Sequence, residues 1–245
     1  MAETTKNPET MRVAVVTGAN KGIGFEISKQ LASNGVKVIL TARDVKRGTE
    51  AVETLKAAGY SDLSFHQLDV SDPVSISAFV NFIKTEFGKL DILVNNAAVN
   101  GLTTVGTVDP KDLKFGPDEF ISNENAKKKL GDVDGLTEEK VDEVVEEFLE
   151  DVKENLIEDK GWPSNNFSAY SVSKTVLNAY TRVLAKKYPT VAINAVSPGF
   201  TKTDLNYNAG VLTTEEAAKG PVMLALMRDS KPSGLFFDKT EVSTF

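Results

Sequence analysis

The chain has 245 residues, 41% of them hydrophobic and 26% charged, a composition that supports a large buried core and excludes disordered and fibrous classes. Its formal net charge is -7 and no basic run exceeds the three lysines Lys127, Lys128 and Lys129, which argues against nucleic acid as a partner because phosphate binding needs a clustered basic face. There is no cysteine, so disulfides, thiol catalysis and zinc–cysteine sites are excluded.

The polar opening MAETTKNPET lacks the apolar stretch of a secretory signal. No apolar run approaches the roughly 20 residues of a membrane span, so a cytoplasmic protein with no membrane partner is expected. Residues 13–17 form a short apolar run that leads into a glycine-rich turn. KGIGFEISKQLASNG follows, with Ile23, Ile27 and Leu31 at helical spacing and Gly35 as a stop. VKVILTARD reads as a second buried strand, and its helix carries Val52 and Leu55 before ending near Gly59. LSFHQLDV reads as a third strand, VSISAFVNFIKTEFG as another amphipathic helix, and KLDILVNN as a fourth strand. Strands alternating with helices of this length imply βαβ units and a parallel sheet covered on both faces.

The rhythm breaks between Ala97 and Asn166. Residues 100–120 read as a loop rich in Gly, Thr, Asp and Pro. Residues 137–158 read as one acidic amphipathic helix whose apolar stripe is Val141, Val144, Val145, Phe148, Leu149, Val152 and Leu156. Thr137 suits its N-cap, with Glu138 and Glu139 well placed in the first turn, and a solvated acidic face over a packed stripe is expected. The alternation resumes in VAINAV and GLFFD. With no repeat and no boundary, the expectation is a single α/β domain over residues 1–245, a Rossmann-like doubly wound parallel sheet. Residues 100–166 form an irregular and acidic-helix insertion within it.

VTGANKGIG places Gly18, Gly22 and Gly24 between the first strand and its helix. Glycines there let the backbone approach a pyrophosphate, and the helix N-terminus offers free N–H groups and partial positive charge. After the first strand of a βαβ chain, this turn predicts a dinucleotide site. NAD binders usually carry a carboxylate after the second strand for the ribose 2′-OH. Here that strand ends in Thr41, Ala42 and Arg43, and Lys21 sits in the turn. Two cations at the ribose favour a 2′-phosphate and hence NADPH, although Asp44 is also close by. Further on, FSAYSVSK puts Tyr170 and Lys174 four apart at the start of a helical pattern, a spacing that suits a proton donor beside a cation. A free phenol has a pKa near 10, and a lysine one turn along the same face lowers it.

The stretches VTGANKGIGFEI, LTARD, HQLDV, FGKLDILVNNAA, YSVSK, NAVSPGFTKTD and SGLFFDKTEVSTF resemble the short-chain dehydrogenases/reductases, specifically the plant carbonyl-reductase-like group. The resemblance covers nearly the whole chain. It implies NADPH-dependent reduction of a ketone or aldehyde of a small molecule such as a terpenoid or alkaloid, by a monomer with no metal. It makes Tyr170 the acid and Lys174 its electrostatic and ribose-binding partner. It places Asn20, Lys21 and Ile23 of the glycine turn and Arg43 at the nucleotide, and Asp69 and Val70 by the adenine. Asn95 and Ala97 fall by its ribose, and Pro198, Gly199 and Thr203 near the nicotinamide.

The chain departs from the family chiefly between NNAA and the tyrosine. The helix with a structural Asn and the strand ending in Ser-Ser, which the family carries between NNAG and the tyrosine, have no counterpart. FISNENAKKKLGD reads as loop sequence that should follow that strand, so an internal deletion of on the order of 50 residues is expected near residues 120–122. Ser122 belongs to the later loop, Ser164 and Ser168 have no strand to present them, and the catalytic serine is absent. In the family's strand order 3-2-1-4-5-6-7 the missing strand is the fifth, and direct pairing of DILVNN with VAINAV is expected across the gap. The alternative reading is a catalytically impaired form that only binds NADPH or folds poorly. Ala98 stands where the family usually has glycine. His66 reads as structural, Trp162 and Pro163 as packing or a substrate mouth, and Phe200, Leu205 and Tyr207 as a cover over the substrate or as ordinary loop.

Overall fold

The computed structural model describes residues 11–99, 121–163, 168–227 and 232–244. These fall into two compact units, one built on residues 1–98 with 198–204 and 210–227, the other on residues 99–197 with 205–209 and 228–245. Residues 100–120, read as a loop, and Ser164 lie outside the described residues.

The first unit is a four-stranded parallel sheet in the order β3-β2-β1-β4, formed by β1 (Val13–Val16), β2 (Lys37–Ala42), β3 (Leu63–Gln67) and β4 (Ile92–Val94). Strand residues alternate between two apolar layers. Ala14, Val16, Val38, Leu40 and Ile92 meet the helices α1 (Gly22–Ser33), α2 (Val45–Ala57) and α7 (Thr214–Leu226). Val13, Val15 and Ile39 meet Phe79 and Ile83 of α3 (Pro73–Phe87) on the opposite face. Both faces are covered, and β1 is buried at all four positions, as the apolar runs require. The helix ends follow their side chains: Asp44 and Asp72 cap α2 and α3, and Thr213 and Glu216 form a reciprocal capping box on α7. Helix α7, which carries Gly220 and Pro221 in its interior, is not expected from the sequence pattern. His66 is structural as expected, its ring 5.0 Å from that of Phe79 and 4.3 Å from that of Phe82, with Nδ1 donating to the Gln67 carbonyl.

The second unit carries a helical core and a small sheet. Helices α4 (Glu124–Gly131), α5 (Glu138–Lys153) and α6 (Ser168–Lys187) bury Leu130, Val141, Val144, Phe148, Val172 and Val183 together. The loop reading of FISNENAKKKLGD is corrected by α4. Asn123 caps it through the Ala126 N–H, and Ala126 and Leu130, four apart, bury one face. Helix α5 begins at the expected Thr137 cap but ends at Lys153, five residues short of the expected end, where Asn155 takes a left-handed φ of 63°. Its stripe is also narrower than read, with Leu149 and Val152 exposed.

Among the described residues, the pairing of DILVNN with VAINAV expected across the gap is not present. β5 (Ala195–Ser197) lies in a separate three-stranded sheet in the order β5-β6-β7, parallel to β6 (Phe236–Asp238), which pairs antiparallel with β7 (Glu241–Ser243). Asn194 explains the choice. Its side chain donates to the Pro232 carbonyl at 2.7 Å and accepts the Leu235 N–H at 3.1 Å, which fastens β5 to the segment leading into β6. Among the described residues β4 therefore pairs with β1 alone, and Leu93, opposite Val15 on the α3 face, is 54% exposed.

Candidate active site

Of the nucleotide-binding residues expected from the sequence, Gly18, Asn20, Lys21, Gly22, Ile23, Gly24, Arg43, Asn95 and Ala97 follow the C-terminal ends of β1, β2 and β4, inside the first unit. Gly18 leaves β1 at φ 62°, and a Cβ there would lie 2.8 Å from Ala97 Cα, so only glycine fits both the backbone and the contact. Thr17 holds this junction. Its hydroxyl, 3% exposed as a residue, accepts the N–H groups of Asn96 and Ala97 at 3.0 Å each. The Asn96 amide in turn donates to the carbonyls of Thr17 and Gly18. Gly24 sits inside this staple, where a Cβ would approach the Gly18 carbonyl to 2.9 Å. Thr17 and Asn96 are the residues the motif reading passed over. The signal was there, because a hydroxyl and an amide flanking two turns that must touch are suited to bridging them.

Helix α1 starts at Gly22, and its N-cap, Lys21, offers no side-chain acceptor, whereas Asp44, Asp72 and Thr213 cap the other helices of this unit. With no acid in its first turn either, the positive end of α1 is left to an external anion. Asn20 and Ile23 are half-buried beside it. Arg43 is exposed at the end of β2, and the neighbouring Asp44 is engaged as the α2 cap, its Oδ1 accepting the Arg47 N–H at 2.8 Å. Lys21 and Arg47 line one open groove of about 640 Å³ with Asn20, Glu50 and Asp204. Arg47 is a second cation that sequence reading missed. It lies four residues beyond Arg43, in the first turn of α2, a run of two arginines about the Asp44 cap that could have drawn notice. The Lys21 ammonium pairs with Asp204 Oδ2 at 2.9 Å, and both side chains are exposed.

Asp69 is half-buried after β3. The Ser71 hydroxyl and then the Ser71 N–H, donating at 2.6 and 2.9 Å, hold its carboxyl below its ordinary value. Val70 and Asn95 are exposed, and Ala97 lies against Gly18. Pro198 and Gly199, the latter at φ 81°, lead from β5 back into the first unit. There Thr203 comes within ordinary contact distance of the position a side chain on Gly22 would take.

Tyr170 and Lys174 lie in the second unit, in the first two turns of α6. The Lys174 ammonium stands 5.5 Å from the centroid of the Tyr170 ring, and burial lowers its pKa below the ordinary 10.5. One turn of helix thus brings the phenol and the cation together, as their spacing requires. Ser168 opens the same helix, and Ser173 is spent on the Tyr170 carbonyl at 2.7 Å. Trp162 belongs to packing rather than a substrate mouth: it is 3% exposed, its indole N–H donates to Asp151 at 2.7 Å, and it meets Phe148 edge-on. Leu205 and Tyr207 are exposed, and Tyr207 takes a left-handed φ of 54°. No described helix is long and apolar enough to cross a membrane, and no cluster of metal-ligating side chains occurs among the described residues.

The profile of the short chain dehydrogenase family matches residues 12–115 and 160–211. The chain belongs to the short-chain dehydrogenases. It is similar to (+)-neomenthol dehydrogenase of Arabidopsis thaliana, 44% identical over 294 residues that cover 97% of this chain and 99% of that protein. Carbonyl reductase [NADPH] 3 of Mus musculus is 37% identical over 258 residues, 88% of this chain and 91% of that one. The solved structure of salutaridine reductase from Papaver somniferum is 43% identical, with a TM-score of 0.84 over 93% of this chain and 99% of that one. These relatives confirm the α/β Rossmann-like fold class and the plant carbonyl-reductase resemblance. The alignment to the Arabidopsis dehydrogenase spans 294 positions against the 245 residues present here, so at least 49 of them face no residue of this short-chain dehydrogenase. The family match is interrupted between residues 115 and 160, the interval that contains residues 120–122.

Proposed function

We propose that this short-chain dehydrogenase reduces a ketone or aldehyde of a small molecule, of the terpenoid or alkaloid class, with NADPH. The observation that carries the nucleotide half is the cradle at Gly18 and Gly24, where a Cβ would strike Ala97 or the Gly18 carbonyl, at the uncapped start of α1. Lys21, Arg43 and Arg47 supply cations for a 2′-phosphate, while the nearest carboxylate, Asp44, is occupied by its own helix. The name of the mouse relative, which specifies NADPH, supports the same choice. Asn20, Gly22, Ile23, Asp69, Val70, Asn95, Ala97, Pro198, Gly199 and Thr203 complete the proposed binding residues.

When bound, the reduced nicotinamide supplies the hydride. Tyr170 gives its phenolic proton to the carbonyl oxygen, so that hydride and proton together yield the alcohol. Lys174 favours the resulting phenolate through its charge. Burial draws Lys174 toward its neutral form, and the phenolate opposes that by holding the ammonium charged. Asp69 would accept from the adenine edge, its carboxylate kept ionised by Ser71.

Two features support a slow enzyme as the second reading. The serine donor is absent from the sequence, and a donor of that kind contributes about 10²–10³ in rate. The uncovered Leu93 marks the place where a neighbouring strand and helix would lie. The test is a fluorescence titration with NADPH and NADH, followed by NADPH oxidation with menthone and with simple aldehydes. Tighter NADPH binding and turnover lost in Tyr170→Phe support the reading. Equal affinity for both nucleotides, or turnover retained in Tyr170→Phe, overturns it. NADPH binding without turnover of any carbonyl establishes the second reading instead.

A further inference from the structure

The groove beside the glycine turn holds two carboxylates, Glu50 and Asp204, where an anion-binding site needs none. Glu50 lies 4.0 Å from the Lys46 ammonium, and Asp204 is the one that sits on Lys21. Asp204 lines it together with Lys21 and Arg47, and its Oδ2 lies 2.9 Å from the Lys21 ammonium. The position of Asp204 is well defined. The segment after Gly199 is pinned at its start by the bridge between Thr201 and Leu212, with Lys202 donating to the Leu212 carbonyl at 2.8 Å. Thr203 lies over Gly22, and a single 3-10 turn begins at Asp204. Arg47 bonds Asp44 only through its backbone N–H, whereas the Lys21 side chain is engaged. A 2′-phosphate arriving at Lys21 therefore meets an internal anion already on it.

We infer that Asp204 is a cofactor-specificity residue that competes with the 2′-phosphate for Lys21 and so holds down the discrimination between NADPH and NADH. The inference rests on the reading of Lys21 as a 2′-phosphate ligand. A nucleotide with a free 2′-OH makes no demand on Lys21 and leaves the pair intact. A nucleotide with the phosphate must separate it, with the Asp204 carboxylate then facing a dianion across the same groove. Both side chains are exposed, so the pair is screened, and its loss is worth a factor of about two to five in affinity.

The experiment titrates wild type, Asp204→Asn, Lys21→Met and the double variant with 2′,5′-ADP and with 5′-AMP by calorimetry at low salt. The expected result is that Asp204→Asn tightens 2′,5′-ADP by about two- to five-fold and leaves 5′-AMP unchanged. In the Lys21→Met background the same substitution should do markedly less. Equal tightening of both nucleotides would assign Asp204 a general charge effect and overturn the inference. So would an undiminished effect without Lys21, or no effect at all. A wild-type chain that binds both nucleotides equally refutes the NADPH reading by itself. If Asp204→Asn then creates a preference for 2′,5′-ADP, the competition is upheld, and if it does not, both fall. Thermal melting separates these outcomes from misfolding, since removing an exposed pair should leave the midpoint within about a degree or two of wild type.

Discussion

Replacing Thr17 by valine keeps the shape of the side chain and removes one oxygen, which makes it a sharp test of how the glycine turn is held. That oxygen accepts two N–H groups, from Asn96 and Ala97 at 3.0 Å, and Thr17 itself is buried. A donor left without a partner in the interior costs about 1–3 kcal/mol. The Asn96 N–H keeps its second acceptor, the Val94 carbonyl at 3.0 Å, and Ala97 is exposed, so water reaches its N–H and the cost falls at the low end, about 1 kcal/mol. For a chain of this length that corresponds to a fall of about 2–4 °C in the melting midpoint. Thr17→Ser keeps the oxygen and should lose less than half as much. Because Asn96 also holds the carbonyls of Thr17 and Gly18, Thr17→Val should weaken NADPH binding as well, measured by fluorescence titration at a temperature where both proteins are folded. A valine variant that melts with wild type, or a serine variant that falls as far as valine, would refute the argument that the hydroxyl is the staple.

Arg43→Asp should shift the preference toward NADH, read from the ratio of the two dissociation constants, because it replaces a cation at the expected 2′-phosphate with an acid. Lys174 has its folded pKa lowered by burial from the ordinary 10.5. Between the folded value and 10.5 the unfolded chain binds more protons, so the contribution of Lys174 to stability rises with pH across that window. Melting of wild type relative to Lys174→Met should therefore improve as pH climbs toward 10.5, and a flat difference would show that the side chain is solvated. On β4, Ile92→Ala should cost about 2–5 kcal/mol, while Leu93→Ala should stay within about 0.5 kcal/mol, since Ile92 is 7% exposed and Leu93 54%; urea melts of both variants check the contrast.

What the sequence made legible was governed by period and by turn chemistry. The apolar runs of β1 and β2 admit no helical spacing and no polar face, so strands buried on both sides were the consistent reading. Tyr170 and Lys174 were brought together by the geometry of one helix, independent of tertiary structure. Helix α4 was hidden because ENAKKKLG carries only Ala126 and Leu130 as buried residues, too few to declare a period in eight positions. Helix α5 was overextended because its apolar spacing continues to Leu156, and spacing alone does not reveal that Asn155 adopts a left-handed conformation. The packing role of Trp162 depends on its indole bond to Asp151, a partner eleven residues away that no local pattern names.

The gap shows where chain logic and hydrogen-bond logic part. The motif order implies loss of the fifth strand, and direct pairing of its neighbours is the simplest way to satisfy the exposed backbone. Yet β5 has a partner already. Besides the side chain of Asn194, the N–H of Ala195 donates to the Leu235 carbonyl, that of Gly234 to Ile193, and that of Lys239 to Ser197. These bonds are short in sequence separation compared with any that β4 could make across the missing segment, so they commit β5 to the C-terminal strands. β4 keeps its edge, but the edge is small. The strand is three residues long, and after it the Asn96 N–H turns back to the Val94 carbonyl and to Thr17. A short edge strand is a way of limiting unwanted pairing. The residues that close it are the same ones that brace the glycine turn. The cradle at Gly18 is thus braced by Thr17 and Asn96 of its own unit, while the exposed Leu93 lies on the edge that the shortened chain leaves uncovered.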